Sequence, residues 1–281
     1  MKRLLAILLA LLMLLTATSC AATTADAPET LTLLALNVGK ADALLLSSGD
    51  TVYLIDTGTE ESWADLSRAL TTLGITHLTG VIVTHMDKDH YGGAEQLAES
   101  EIAVDGWYAS WAWEKEKWKK HPLVKAAAIR NESVTLLYPG DTLSDGLLTV
   151  LGPLQERGDS ENDNSLVLLA SGGGGKMLLT GDMEYDEEND LLSAGVIPRC
   201  EVLKVGHHGR DDATSAALVS AVRPQIAVIS TSTAVLPESP ARKVLNLLSG
   251  VGAQIVQTQQ ATLGVRVTLC DGSATAELLN D

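Results

Sequence analysis

The sequence predicts an α/β chain built as two sheets packed face to face with helices outside. The first observation behind this is that β-type runs at residues 31–38, 43–48 and 51–55 precede any helix, the last two joined by Ser48-Gly49-Asp50, a hairpin turn. The second is that the chain repeats this grammar after residue 130, with strand-like stretches at 134–138, 147–151, 165–170 and 177–180. The third is that each half then turns to strand-helix alternation, which rules out a simple alternating βαβ chain. With 281 residues, 46% of them hydrophobic, there is enough material for a full core and one large domain. Phe is absent, so Leu, Val, Ile and Ala must build that core.

Taken in order, the chain opens with Met1, Lys2 and Arg3, an apolar run at residues 4–15, and a small, polar stretch ending at Cys20. This is the pattern of a secretory signal, since a run of twelve falls short of the ~20 residues that span a bilayer. The ending A-T-S-C resembles a bacterial lipobox, with Cys20 as the lipid-bearing first residue of the mature protein; simple cleavage and secretion is the alternative. Residues 1–20 are therefore expected to be a signal peptide with its lipobox cysteine, 21–30 a tether and 31–281 the folded domain. Cys200 and Cys270 sit in apolar, strand-like contexts and read as buried free thiols, although an oxidising compartment would permit a disulfide.

In the domain, residues 60–73 read as a helix closed by Gly74, followed by the continuous β-branched run Val81, Ile82, Val83. Residues 91–100 have helical spacing. Residues 106–122 hold four of the five Trp (Trp107, Trp111, Trp113, Trp118) and four Lys (Lys115, Lys117, Lys119, Lys120). Trp107, Trp111 and Trp118 share a helical face, which predicts a helix packed on the domain; a lid or substrate platform is the functional alternative. Residues 171–176, with four glycines, read as a hairpin and not a phosphate loop, because no G-K-[ST] or helix follows. Helices near 184–193, 214–222 and 240–248 alternate with strands at 201–205 and 225–230, and terminal strands close the chain.

Chemistry concentrates in residues 84–93, T-H-M-D-K-D-H-Y-G-G, where two imidazoles and two carboxylates follow an apolar strand. Strand ends at the carboxyl edge are where α/β sheets place their sites, and neutral imidazole with carboxylate suits zinc or manganese. Two further stretches deliver ligand types beside glycine at strand ends: L-L-T-G-D at 178–182 and L-K-V-G-H-H-G at 203–209. Singly, Asp182 reads as a helix cap and His207 as a turn histidine. Together, His85, Asp87, Asp89, His90, Asp182 and His207 could surround two ions ~3.5–4 Å apart, with Asp182 bridging. Asp56, ending the strand at 51–55, is the expected outer carboxylate that orients a ligand.

The 84–93 decapeptide resembles the H-x-[HD]-x-D-H signature of the metallo-β-lactamase superfamily, with Asp87 where a second histidine is commoner. With L-N-V-G-K-A-D-A at 36–43, L-I-D-T-G at 54–58, N-D-N-S-L-V-L-L at 162–169, L-L-T-G-D-M-E at 178–184 and L-K-V-G-H-H-G at 203–209, the mature chain is similar throughout to the ComEC-type branch. The resemblance implies an αββα four-layer sandwich (the metallo-β-lactamase fold) and a centre of one or two divalent ions, zinc or manganese. In competence proteins it implies a nuclease. By position, His85, Asp87, Asp89, His90, Asp182 and His207 match metal ligands, with Asp89 and Asp182 the catalytic pair. Asn162, Asn164 and His208, the twin of His207, match substrate-side positions. Asn37, Lys40-Ala41, Ser239 and residues 259–261 depart from the family pattern, which bears on substrate contacts and the general acid more than on the metals.

The expected function is a metal-dependent hydrolase, phosphodiesterase- or nuclease-like, held outside the cytoplasmic membrane as a lipoprotein. Its substrate would be a phosphorylated small molecule or a cell-envelope phosphoester. Nucleic acid is disfavoured by a formal net charge of −16, and β-lactamase activity would be inference from fold alone. The alternative is a catalytically altered, metal-binding surface module that binds a ligand or partner without turnover.

Overall fold

The computed structural model describes residues 30–113, 121–158 and 160–281. Cys20 with its leader and tether, Trp118 and the four lysines at 115–120 lie outside them.

The first half begins with β1 (Thr30–Leu36), β2 (Leu44–Ser48), β3 (Thr51–Ile55) and α1 (Trp63–Thr72). It continues through β4 (His77–Leu78), β5 (Gly80–Val83), α2 (Lys88–Tyr91), α3 (Ala94–Glu99), β6 (Ala103–Val104), β7 (Trp107–Ser110), α4 (Pro122–Ile129) and β8 (Val134–Leu137). The second half holds β9 (Thr142–Leu143), β10 (Leu148–Gly152), β11 (Val167–Gly172), β12 (Gly175–Leu179), α5 (Tyr185–Ser193), β13 (Val202–Lys204), α6 (Ala216–Val222), β14 (Ile226–Ile229), α7 (Arg242–Gly250) and β15 (Gln254–Gln257). The last two strands, β16 (Gly264–Cys270) and β17 (Ser273–Leu279), return to the first sheet.

One sheet has the order β17-β16-β1-β2-β3-β5-β7-β8 and the other β15-β14-β13-β12-β11-β10-β9. Side chains alternate across a strand, so each strand feeds two cores. Leu31, Leu33 and Ala35 of β1 join Leu168 and Ala170 of β11 and Val265, Val267 and Leu269 of β16 in the layer between the sheets. Leu34 and Leu36 of β1, with Val81 and Val83 of β5, pack outward against Leu66 and Leu70 of α1, Leu97 of α3 and Leu123 of α4. The second sheet does the same on its outer face, where Leu178 and Leu203 meet Leu191, Leu218 and Val244 of the three later helices. The fold is the αββα four-layer sandwich that the sequence predicts.

Local chemistry sets the element ends. In α1, Leu66, Ala69 and Leu70 form the buried stripe. Gly74, at φ 68°, ends it with paired backbone bonds from Gly74 N to Thr71 O and from Ile75 N to Leu70 O, a Schellman stop. The glycine turn between β11 and β12 is the expected hairpin.

The tryptophan segment differs from its predicted helix. Residues 107–110 are a parallel strand between β5 and β8, with Trp107 buried and its indole N–H donated to Glu132 at 2.7 Å. A strand buried on both faces shows no period-2 alternation, so the four-residue spacing of Trp107 and Trp111 imitates a helical face. Trp111 stacks on Tyr138 with ring centroids 5.8 Å apart and donates to Pro153 O. The sheet face and its neighbouring loop thus hold both indoles.

Candidate metal centre

Six chain segments end at one edge of the sandwich: the loops after β1, β3, β5, β12, β13 and β14. After β5, whose four residues are all buried, the chain leaves the sheet at Thr84 and turns into α2, placing His85, Asp87, Asp89 and His90 on that edge. Asp56, directly after β3, adopts φ 60° and is fully buried beneath them. Its carboxylate accepts from Thr84 N (2.8 Å), Thr84 Oγ1 (2.8 Å) and His90 Nδ1 (2.7 Å). Because a carboxylate accepts and does not donate, Nδ1 of His90 carries the proton and Nε2 is turned toward the centre.

From the other sheet, β12 leads through Thr180 and Gly181 to Asp182. Gly181 has φ 51°, and a Cβ there would lie 3.0 Å from Ser165 Cβ and 3.1 Å from Thr84 Cβ, so only glycine lets the two halves meet this closely. Asp182 Oδ2 lies 3.2 Å from His90 Nε2 and 3.3 Å from His208 Nε2. His208 Nδ1 donates to Ser230 O at 3.0 Å, which fixes its tautomer as Asp56 fixes that of His90. Asp89 Oδ2 completes the group at 3.4 Å from His208 Nε2 and also takes the Lys40 ammonium at 2.5 Å.

Asp89, His90, Asp182 and His208 each offer one ligand atom within 4.8 Å of the others. Among the buried atoms at this edge that make no hydrogen bond are four ligand atoms grouped here: His85 Nε2, His90 Nε2, Asp182 Oδ1 and His208 Nε2. Buried polar atoms without partners are costly, and imidazole with carboxylate donors fits a divalent ion, so these residues fit the metal that the resemblance implies.

The charges agree with the donors. Burial would raise the Asp182 carboxyl, but His208 and His90 together outweigh it and hold the group well below the usual carboxylate range. Burial would lower His90, yet Asp182 and Asp56 keep its imidazole well above the ordinary value. His208 is raised in the same way, with Asp182 the leading carboxylate. A field that retains protons on two buried imidazoles also attracts a divalent cation, whose binding must displace those protons.

Of the residues expected from sequence, His85 lies beside His90, with centroids 4.1 Å apart and ring planes tilted by 52°, and its Nε2 stands 3.8 Å from Asp87 Oδ2; Asp87 is half exposed. His208, expected on the substrate side, reaches the centre, and His207, expected as a ligand there, does not. Both have positive φ, 45° and 54°, inside the turn Gly206–Gly209. In that conformation the two neighbouring side chains diverge, so His208 reaches Asp182 and His207 reaches Glu184 and Asp212 instead.

The asparagine positions also differ from expectation. Asn164 accepts from Arg157 N at 2.7 Å and donates to Arg157 O and Ser160 O, so its amide closes its own loop. Asn162 donates to Glu184 Oε1 at 2.7 Å. Sequence reasoning passed over Asp42 and Lys204, a fully buried ion pair 2.8 Å long behind His208. The signal was there: Lys204 is the one charged residue in the apolar run Val202–Lys204. Ser239, at a departure from the family pattern, donates its hydroxyl to His208 O at 2.5 Å and braces the turn.

A sequence model of the metallo-beta-lactamase superfamily matches residues 36–233. The chain is 29% identical over 254 residues to ComE operon protein 3 of Bacillus subtilis, covering 79% of this chain and 32% of that protein. It is 31% identical over 202 residues to Recombination protein 2 of Haemophilus influenzae, covering 69% of this chain and 23% of that protein. It therefore spans about a quarter to a third of the length of these curated relatives. Among solved structures, the metallo-beta-lactamase fold protein YhfI from Bacillus subtilis superposes with a TM-score of 0.55 at 13% identity, over 89% of this chain and all of that one, a likeness of fold.

Proposed function

The chain belongs to the metallo-beta-lactamase superfamily and is a metallo-hydrolase, and on that premise we propose that it cleaves phosphoesters or phosphodiesters outside the cytoplasmic membrane. The observation that carries this reading is the convergence of four buried, unpartnered ligand atoms from both sheets on one edge. Asp89, His90, Asp182 and His208 would hold one ion, and His85 with Asp87 and the free Oδ1 of Asp182 a second, zinc or manganese by donor chemistry. A divalent ion held there acts as a Lewis acid toward a phosphoryl oxygen and supplies a nucleophile at neutral pH.

The protein's own residues do the positioning. Asp56 and Ser230 O set the two histidine tautomers, and Asp182 sits between His90 and His208. Lys40, partly exposed at the rim, is the cation available to a non-bridging phosphate oxygen. The net charge of −16 disfavours long nucleic acid, so a phosphorylated small molecule or cell-envelope phosphoester is the proposed substrate class. Cys20 lipidation would keep the enzyme at a membrane face; among the described residues no helix is long and apolar enough to cross one.

The test is metal analysis of the purified protein together with a panel of phosphomonoesters and phosphodiesters, with and without chelator. Chelator-sensitive hydrolysis lost in Asp182→Ala is expected. Bound metal without turnover of any phosphoester would favour the second reading, a metal-binding surface module. Ser239 is the observation behind that alternative, since it stands where the family often has a histidine and here braces a turn. Cys20→Ala should release the protein from membranes, and unchanged attachment would refute the anchor.

A further inference from the structure

A second set of ligand atoms converges on the other member of the histidine pair. His207 Nδ1 lies 2.9 Å from Asp212 Oδ1 and 3.3 Å from Glu184 Oε1, and the three residues offer ligand atoms within 4.8 Å of one another. His207 is only 8% exposed. Despite the short distance, His207 Nδ1 and Asp212 Oδ1 are buried atoms that make no hydrogen bond. Both carboxylates are held by a donor: the Asn162 amide donates to Glu184 Oε1 itself at 2.7 Å, and Arg210 Nε donates at 3.2 Å to the other oxygen of Asp212. One imidazole nitrogen with two carboxylate oxygens is a donor set for zinc or manganese, and outer hydrogen bonds of this kind orient metal ligands.

The backbone gives the set a task. Two successive non-glycine residues in the left-handed region are unfavourable and persist only where their surroundings hold them. On the inner side His208 is fixed by Ser230 O and by Ser239. On the outer side His207 meets Glu184 and Asp212.

We propose that Glu184, His207 and Asp212 form a separate divalent-cation site, taking zinc or manganese, that clamps the outer residue of the turn whose inner residue is His208. It lies beyond the proposed hydrolysis and does not rest on it, since its occupancy is read without substrate.

The experiment is equilibrium dialysis of the folded protein against zinc, and separately manganese, followed by elemental analysis. Asp212→Asn and Glu184→Gln should each bind one equivalent fewer than the unaltered protein. In Asp182→Asn with His90→Ala, which disables the main centre, one equivalent should remain and should vanish when Asp212→Asn is added. Equal equivalents in the unaltered protein and in Asp212→Asn overturn the proposal, whatever that number is. Asp212 is partly exposed, so its variant is expected to fold; should it not, Glu184→Gln decides on the same criterion. Loss of every equivalent in the Asp182/His90 variant also overturns the separate site, and leaves the main centre standing.

Discussion

Replacing Asp56 by Asn changes almost no volume and turns Oδ2, which accepts from both His90 Nδ1 and Thr84 Oγ1, into a donor; the hydroxyl can rotate to accept, but the imidazole must change its tautomer. The amide oxygen can still accept from Thr84 N, but an NH2 group now occupies the position of Oδ2, 2.7 Å from His90 Nδ1. Two donors cannot face each other, so the imidazole must take its proton on Nε2, the nitrogen that lies 3.2 Å from Asp182 Oδ2. A protonated Nε2 cannot ligate. Outer partners of metal-bound histidines typically contribute 10–100-fold in affinity, about 1.4–2.7 kcal/mol, and a forced tautomer places Asp56→Asn at the upper end. Asp56→Ala should instead damage the fold, because it strips the acceptor from Thr84 N, Thr84 Oγ1 and His90 Nδ1, at ~1–3 kcal/mol for each buried donor left unsatisfied. The assay is competition with a chelator of known affinity, alongside a thermal melt of the metal-free protein. An Asp56→Asn protein that binds metal within twofold of the unaltered one would refute the idea that this carboxylate sets the ligating nitrogen.

Lys204→Met should lower stability by about 3–5 kcal/mol in urea unfolding, because Asp42 is left as an unpaired buried charge, while Asp42→Asn with Lys204→Met should recover most of it. Glu187 is fully buried and both its oxygens lack partners; burial, with Asp163 and Asp190 nearby, holds its carboxyl well above 4.5. A raised folded-state pKa means stability that is complete below about pH 4.5 and lost as pH climbs through the folded value, so Glu187→Gln should raise the melting temperature at pH 8 and leave it unchanged near pH 4. Gly181→Ala forces a side chain into the left-handed region against Ser165 and Thr84; about 1–2 kcal/mol of stability and part of the metal affinity should go, as read by denaturant titration and chelator competition.

What the sequence shows and hides follows from how local each feature is. The ligands at 85–90 lie within one turn after an apolar strand, and Asp56 ends another, so spacing alone exposes them. The choice between His207 and His208 is invisible, because it depends on two left-handed backbone angles that identical neighbouring residues do not announce. Asn164 misleads for a related reason: an amide near a site can serve the substrate or its own loop, and only the bonds to Arg157 and Ser160 distinguish the two. The sandwich was legible because each half carries strands before helices. The strand at Trp107 was not, since burial on both faces erases the alternation that marks a half-buried strand.

The direction of β1 also sets the point where the preceding chain joins the domain apart from the metal edge. Its first residue, Thr30, pairs with Cys270 beside the hairpin turn at Asp271 and Gly272, while its last, Leu36, leads into the loop of Lys40 and Asp42. Seven residues of strand, roughly 20 Å, separate the point where the preceding chain joins the domain from the metal edge. A tether of residues 21–29 could add at most about 30 Å. If Cys20 carries lipid as proposed, the attachment point and the metal edge belong to opposite ends of β1, and the edge is not the part of the domain tied to the membrane.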